Sequence, residues 1–419
     1  AMSVQTASVK EVMARCVRLG VKIVAGGPLF TEEYDQFPEI DHLVLNEAEI
    51  TLPLFIEDLK NGSAKRIYFT NEFADITLSP LPLYSLLRLD KYATTGIQYS
   101  RGCPYDCEFC DITALFGRRV RTKTPAQILA ELDQLLQAGW RGSLFFVDDN
   151  FIGHKKKLKN ELLPALIGWM KSKDYPFHFI TEASIDLSDD NDLMEMMLDA
   201  GFDKVFVGIE TPEENCLVEC NKLNNKDRNL IESVSVIQSK GMEVHAGFIV
   251  GFDNDPPNIF QRQIDFIQKT GIITAMVGLL NAPRLSKLYR RLENEGRIVD
   301  KFTGDNTDYT MNFVPVMDKN DLMKGYRKII QSIYSCKAYY TRVLFFLKQF
   351  NPPRVEPLSF NRIMAFVKSA IYLGIFTKER IYFWKIIFWS IFNKPKSFPL
   401  AVTYTIYGYH FRRVFRDVM

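Results

Sequence analysis

Ser100-Arg101-Gly102-Cys103-Pro104-Tyr105-Asp106-Cys107-Glu108-Phe109-Cys110-Asp111 places three of the chain's seven cysteines within eight residues. Three thiolates on one tight loop can ligate three irons of a 4Fe–4S cluster and leave the fourth open to a small molecule. A structural zinc site asks for four closed ligands, and no His or further Cys lies within forty residues of the loop. A disulfide would strand one thiol, and the short loop it closed would contribute little. Cys103, Cys107 and Cys110 are therefore the candidate cluster ligands.

The chain has 419 residues, room for two or three domains. Its net charge of +2 gives no chain-wide attraction for nucleic acid. Cysteines without a pairing pattern point to a reducing cytoplasm. No stretch reaches the ~18 apolar residues of a membrane span. The charge is unevenly spread. From Lys337 to Met419 there are 14 Lys and Arg against 3 Asp and Glu, a net of +11. The whole chain has 52 and 50, so the rest holds 38 and 47, a net of −9. The same tail carries 21 of the 54 aromatic residues. A basic, aromatic-rich module on an acidic body implies a separate role for it.

Outward from the cysteines, residues 93–300 read as six strand–helix units. The expected strands are Gly96–Ser100, Ser143–Asp148, His178–Ala183, Lys204–Ile209, Glu243–Val250 and Thr274–Asn281. They are rich in Val, Ile and Phe and only partly alternate, as strands covered on both faces do. The clearest helix starts at Thr124-Pro125, an N-cap followed by Pro at the first helical position. Ile128, Leu129, Leu132, Leu135 and Leu136 share one of its faces. Gly139-Trp140, Gly201-Phe202, Gly241-Met242 and Gly271-Ile272 repeat a helix stop followed by an apolar strand start. Alternating strands and helices imply a parallel sheet with right-handed crossovers. Acids recur at the strand ends: Asp148-Asp149-Asn150, Glu182, Glu210, Asp253 and Asp255.

The C-x3-C-x2-C run resembles the signature of the radical S-adenosylmethionine (SAM) superfamily. Six units rather than eight fit its partial (β/α)6 barrel, an α/β fold. The resemblance implies that the open iron chelates SAM and passes it an electron. A 5′-deoxyadenosyl radical results, able to take hydrogen from an unactivated C–H bond. It further implies that Phe109 lies beside the adenine, that Asp149 stands in the second-strand turn that binds the methionine amino group, and that Glu182 and Glu210 stand on the later strands that hold the ribose and carboxylate. Gly247 and Gly251 match the stretch flanking adenine, and Gly208-Ile209-Glu210-Thr211-Pro212 matches this branch. Cys216 and Cys220 form a second C-x3-C and read as incidental, since only Cys16 and Cys336 remain for an auxiliary cluster. His245 reads as a strand residue beside the core. No residue is assigned to the chemical step itself.

Residues 1–75 resemble the C-terminal part of a Rossmann-like cobalamin-binding domain. Gly26-Gly27-Pro28 matches its Gly-Gly-Pro turn. Asn46-Glu47-Ala48-Glu49 matches its Gly-Glu-x-Glu turn, with Asn46 in place of Gly. Gly26 and Gly27 are the cobalamin candidates. Only two strands, Val21–Ala25 and His42–Leu45, are legible there. The usual Asp-x-His-x-x-Gly loop is absent, so the expectation is a remnant domain of a longer protein. Residues 76–92 read as a linker and 301–419 as a basic, aromatic-rich helical extension. Its Tyr339-Tyr340, Phe345-Phe346, Tyr382-Phe383-Trp384 and Phe388-Trp389 read either as helical core or as a lipid-facing element.

The order of regions is similar to cobalamin-dependent radical SAM enzymes of the hopanoid 2-methylase group. It implies methylation of an unactivated carbon in a hopanoid or other lipid, with a 4Fe–4S cluster, SAM and cobalamin as cofactors. It also implies a small-molecule or lipid substrate and an electron donor such as flavodoxin or ferredoxin. A cytoplasmic location peripheral to the inner membrane, with membrane-surface association and no nucleic acid, completes the expectation. The alternatives are radical oxidative cyclisation or rearrangement of a lipid or tetrapyrrole, and a non-catalytic iron–sulfur protein.

Overall fold

The computed structural model describes residues 1–305, 308–354 and 360–416. In the N-terminal unit, strands β1 (Val24–Gly26), β2 (His42–Val44) and β3 (Ile67–Tyr68) form a parallel sheet in that order. The third strand was not legible, because two residues are too short to show a period. The Gly-Gly-Pro turn follows from three separate constraints. A Cβ on Gly26 would sit 2.4 Å from the Val44 carbonyl oxygen, so β1 and β2 meet there only through glycine. Gly27 has φ +96°, a conformation that costs a side-chain-bearing residue. Pro28 opens the helix Pro28–Glu33, where its missing N–H is no loss.

Among the described residues eight further strands follow: β4 (Thr95–Ile97), β5 (Ser100–Arg101), β6 (Arg121–Thr122), β7 (Gly142–Phe146), β8 (Phe177–Glu182), β9 (Phe202–Glu210), β10 (Glu243–Val250) and β11 (Ala275–Leu279). Strands β4, β7, β8, β9, β10 and β11 form one parallel sheet in sequence order. This is the open partial (β/α)6 barrel of the radical SAM fold. The expected strand Gly96–Ser100 is split. Its first half pairs with β7, while Ser100–Arg101 turns away to pair antiparallel with β6. The cause is Asp148, whose carboxylate accepts the backbone N–H of both Tyr99 and Ser100 and draws that backbone off the ladder.

The helices between strands end where expected. Thr124 caps Pro125–Gln137 with a reciprocal Gln127 contact, and Gly201, Gly241 and Gly271 close theirs with left-handed φ. Leu144, Phe146, Phe179, Val205, Val207 and Val244 point toward these helices and are almost fully buried. Phe146 meets Phe151, Phe179 and Phe202 at centroid distances of 5.2, 5.1 and 5.1 Å.

The other face of the sheet is not covered, contrary to the two-sided burial read from the sequence. Phe145, Ile180 and Phe206 are half-buried, and Val147 and Met276 are 43% and 46% exposed. Gly208 and Gly247 lie side by side on β9 and β10. Partial alternation therefore reflects an open, mainly apolar inner wall.

The C-terminal region is helical: Lys319–Ile333, Cys336–Gln349, Phe360–Ile371, Arg380–Asn393 and Phe398–Val414. It covers the last strand, with the Tyr326 and Tyr334 hydroxyls donating to Val277 O (3.2 Å) and Ala275 O (2.7 Å) of β11. Its aromatic residues divide between core and surface. Tyr339, Tyr340, Phe346, Phe383 and Tyr404 are buried, whereas Phe376, Phe388 and Phe392 are exposed. Among the described residues no helix is long and apolar enough to cross a membrane.

Candidate functional site

The cysteine loop leaves β5 at the C-terminal rim of the sheet. A Cβ on Gly102 would lie 2.8 Å from Gly117 O and 3.0 Å from Arg119 O, so the loop closes only around glycine. Cys103 N donates to Gly117 O, and Glu108 N donates to Cys220 O at 2.8 Å. The turn after β7 anchors the same loop from below. Asp148 is 1% exposed, and burial pushes its carboxyl up to about 7 against the Ser100 and Tyr99 hydrogen bonds. Asp149 Oδ2 accepts the Gly102 N–H at 2.7 Å. Burial pushes Asp149 to about 6, opposed by that N–H.

Burial pushes the Cys103, Cys107 and Cys110 thiols up. For Cys103 and Cys107 the Lys222 charge opposes it. Among the described residues no group of three His, Cys, Asp or Glu converges on a single ion. A 4Fe–4S cluster bonds each thiolate to a different iron, and three thiols on one loop fit that requirement.

Glu182 ends β8 and Glu210 ends β9. Glu182 opens to solvent, yet desolvation, with the Asp149 and Glu210 charges adding to it, raises it to about 7. Glu210 is 7% exposed with φ +62°. Its Oε1 accepts from Lys222 Nζ at 2.9 Å. A Cβ on Gly208 would stand 2.3 Å from that oxygen and 2.8 Å from Nζ. Asn225 Nδ2 holds the strand end through Gly208 O (3.0 Å) and Ile209 O (3.1 Å).

Gly247 lies opposite Gly208, and the ladder shifts register just beyond it. Gly251, φ +111°, donates its N–H to Asp255 Oδ2 at 2.7 Å. The Phe109 ring packs edge-on against Phe252, 6.4 Å away, which sets the cysteine loop against the end of β10. The two remaining strand-end acids bind protein groups. Asp253 pairs with Arg291 and Arg297, and Asp255 turns the backbone at Gly251 and Phe252 and accepts from Cys216. His245 pairs with Glu243 at 3.0 Å on β10.

The N-terminal unit grips the hairpin that frames the loop. Glu47 receives both Nη1 (2.7 Å) and Nη2 (2.6 Å) of Arg121, and Glu49 receives both Nη of Arg101 at 3.0 and 2.8 Å. Asn46 has φ +62°, a region that Asn tolerates better than most residues, so it can replace the family's Gly. Gly26 and Gly27 precede the helix whose Glu32 faces Asp111, next to Cys110. Glu32 is 5% exposed, and burial, then Asp111, pushes it up to about 8. Lys222 and Glu32 were not singled out from the sequence as functional, and Asp148 was read only as one of the strand-end acids. Lys222 sits on an irregular loop with no period, and Glu32-Glu33 reads as a solvated helix end.

Residues 97–267 match the Radical SAM superfamily, and residues 286–419 match a domain of unknown function, DUF4070. An uncharacterized methyltransferase of Synechocystis, sll1242, is 38% identical over 98% of this chain and 77% of its own length. The hopanoid C-2 methylase of Rhodopseudomonas palustris is 33% identical over 92% and 74%. The structure of the radical SAM methyltransferase TsrM from Kitasatospora setae, with cobalamin and a [4Fe-4S] cluster bound, shares the fold. It aligns with TM-score 0.63 and 14% identity over 97% of this chain and 84% of that one. Cobalamin-dependent OxsB aligns with TM-score 0.59 and 16% identity over 99% and 69%. Three thiols at a partial-barrel rim, and relatives of this identity and coverage, lead to one conclusion: the chain belongs to the radical SAM methyltransferases, in the family that includes hopanoid C-2 methylase.

Proposed function

We propose that this enzyme methylates an unactivated carbon of a polycyclic lipid of the hopanoid kind, with a 4Fe–4S cluster, SAM and cobalamin as cofactors. The observation that supports it best is one juxtaposition. The three-thiol loop and the acids Asp149, Glu182 and Glu210 lie at the strand ends above an apolar inner wall, and the N-terminal unit is tied to the hairpin of that loop through Glu47 and Glu49. When bound, the cluster supplies one-electron cleavage of SAM and the cobalamin supplies methyl carriage.

The chain's own residues bind, orient and exclude water. Cys103, Cys107 and Cys110 hold the cluster. Asp149 has one oxygen committed to Gly102, so it fixes the loop and keeps the other for the SAM amino group. Glu182, raised toward neutrality, accepts or donates to the ribose hydroxyls. The Lys222–Glu210 pair offers an ammonium to the SAM carboxylate and a carboxylate to its amino group. Phe109 and Gly247 flank the adenine, while Gly251, packed against Met311, Leu322 and Leu280, contributes by turning the backbone after β10. Gly26 and Gly27, packed against Val44 and Ala1, serve the corrin only by shaping the Gly-Gly-Pro turn of the N-terminal unit. The wall of Phe145, Ile180, Phe206 and Met276 suits a rigid apolar polycycle. Two electrons per methylation come from a donor such as flavodoxin or ferredoxin. A cytoplasmic enzyme lying on the inner membrane would meet its lipid there.

The test uses reduced, reconstituted enzyme with methyl-labelled SAM, cobalamin and a hopanoid. Label on the lipid together with 5′-deoxyadenosine supports the proposal. 5′-Deoxyadenosine with an unlabelled, altered product would transfer support to oxidative cyclisation or rearrangement. Neither product, with a cluster present, would indicate a non-catalytic iron–sulfur protein. Cys107→Ala should lose both products.

A further inference from the structure

The helix Arg380–Asn393 buries Phe383, Ile386, Ile387 and Ser390. A helix on a globular surface normally turns polar residues to water on its other face. Here that face carries Ile381, Phe388 and Phe392, which are 73%, 51% and 80% exposed. Trp384, Phe388 and Phe392, each four residues apart, stack as a ladder with centroids 5.3 and 6.5 Å apart. Trp384 Nε1 donates to Gly374 O at 2.9 Å. A Cβ on Gly374 would touch the indole at 3.0 Å, so the turn Tyr372–Phe376 lies flat against it. That turn adds Ile375 and Phe376, 55% and 74% exposed, to the same surface.

The charges around this surface are of one sign. Residues 362–416 hold ten Lys and Arg and a single carboxylate, Glu379. Glu379 is 6% exposed and is taken up by Arg412 Nε at 2.9 Å and the Tyr340 hydroxyl at 2.8 Å. Lys368, Lys378, Arg380, Lys385 and Lys396 are exposed. Two copies of the surface would face cation against cation, which opposes self-association. Apolar rings with a wholly cationic rim complement a layer that is apolar within and anionic at its edge.

We propose that this face docks the enzyme on a lipid bilayer bearing anionic headgroups. Phe376, Phe388 and Phe392 enter the boundary between headgroups and acyl chains, while Lys378, Arg380 and Lys385 sit among the phosphates. The contact lies on the surface rather than across it, in keeping with the absence of a spanning helix among the described residues. The proposal deepens the lipid-substrate reading and rests on it for its purpose, which is to bring the enzyme to a water-insoluble substrate.

The test uses the full chain with vesicles of phosphatidylcholine alone or mixed with phosphatidylglycerol, sedimented over a range of NaCl. Wild-type protein should bind the mixed vesicles, and binding should weaken with salt because screening acts over ~8–10 Å. Phe376→Ser/Phe388→Ser/Phe392→Ser should bind at least about tenfold more weakly at every salt concentration, since three buried rings are lost. Lys378→Glu/Lys385→Glu should lose the salt-sensitive part. Both variants should keep the wild-type melting temperature, because the altered side chains are exposed. Brominated phosphatidylcholine should quench tryptophan fluorescence, and Trp384→Phe should remove most of that quenching. Equal vesicle binding by wild type and the triple Phe variant would overturn the proposal. So would self-association, or capture of an acidic protein, that depends on these rings without vesicle binding. Wild-type activity separates the two readings. A chain that binds vesicles but methylates neither detergent-solubilised nor vesicle-embedded hopanoid keeps the docking surface and loses the lipid substrate. A chain that methylates both without binding vesicles loses the surface alone.

Discussion

Lys222 Nζ donates to Glu210 Oε1 at 2.9 Å, and the same ammonium opposes the burial that pushes the Cys103 and Cys107 thiols up. One cation thus serves a rim carboxylate and the cysteine loop together. Lys222→Met should leave a folded protein that takes up iron and sulfide but binds SAM about 10–100-fold more weakly, the worth of one hydrogen bond between charged groups. Lys222→Arg should restore part of the affinity. Calorimetric titration with SAM, beside cluster absorbance, checks this. Unchanged SAM affinity with a lost cluster would make Lys222 a support for the loop alone.

Gly208→Ala probes the same pair through space. The added methyl carbon would lie 2.3 Å from Glu210 Oε1 and 2.8 Å from Lys222 Nζ. Both are ends of flexible side chains, so the barrel should accommodate the change by moving them. The expected result is a melting temperature within a few degrees of wild type, a shift of ~1 kcal/mol or less, with SAM binding weakened as in Lys222→Met. A variant that unfolds while SAM affinity per folded molecule is unchanged would contradict it.

Glu32 gives a pH dependence with a definite sign. Its carboxyl moves from 4.5 in the unfolded chain to about 8 in the fold, chiefly by burial. Between those values the folded state holds more protons than the unfolded one, so this group's contribution is full below pH 4.5 and is lost as pH rises toward 8. Glu32→Gln carries no such charge. In the cluster-free protein the variant should match wild type near pH 5 and exceed it by on the order of 1–3 kcal/mol at pH 8.5. Melting curves across that range decide; a gap that does not change with pH would mean Glu32 is solvated.

The Glu47–Arg121 contact should be the costliest polar contact to break at the domain junction. The Glu47 side chain is 2% exposed and that of Arg121 is 15% exposed. Removing one partner of such a pair leaves a buried charge, at about 3–5 kcal/mol. Glu47→Leu should therefore destabilise strongly and release the cluster faster. Glu47→Leu/Arg121→Met should recover much of the stability. Chemical denaturation of the two variants, with iron loss followed by absorbance, tests both parts.

The barrel was legible because its signals are local and repeated. Thr124-Pro125 starts one helix, Gly201, Gly241 and Gly271 stop three others, and runs of Val, Ile and Phe lie between. Glu182 and Glu210 were legible as rim positions because each closes such a run. The rest depends on contacts made far along the chain. Ile67–Tyr68 is a strand only because β2 offers it a partner. The split of Gly96–Ser100 needs Asp148, 48 residues away from Ser100. Lys222 has no period to place it, and Glu32 looks solvated until Asp111 is brought against it. The openness of the inner wall was misread, since Phe145 and Phe206 are as apolar as the residues facing the helices.

The two bidentate pairs that join Glu47 to Arg121 and Glu49 to Arg101 make the first unit a fixed jaw rather than a swinging one. Any lid motion hinged there would have to pull four charged groups from a poorly hydrated junction. The six-stranded sheet, by contrast, ends at β4 and β11 without joining them. At the β11 side that seam is already sealed, because the Tyr326 and Tyr334 hydroxyls donate to Val277 O and Ala275 O, so the C-terminal helices stand where a closing strand would.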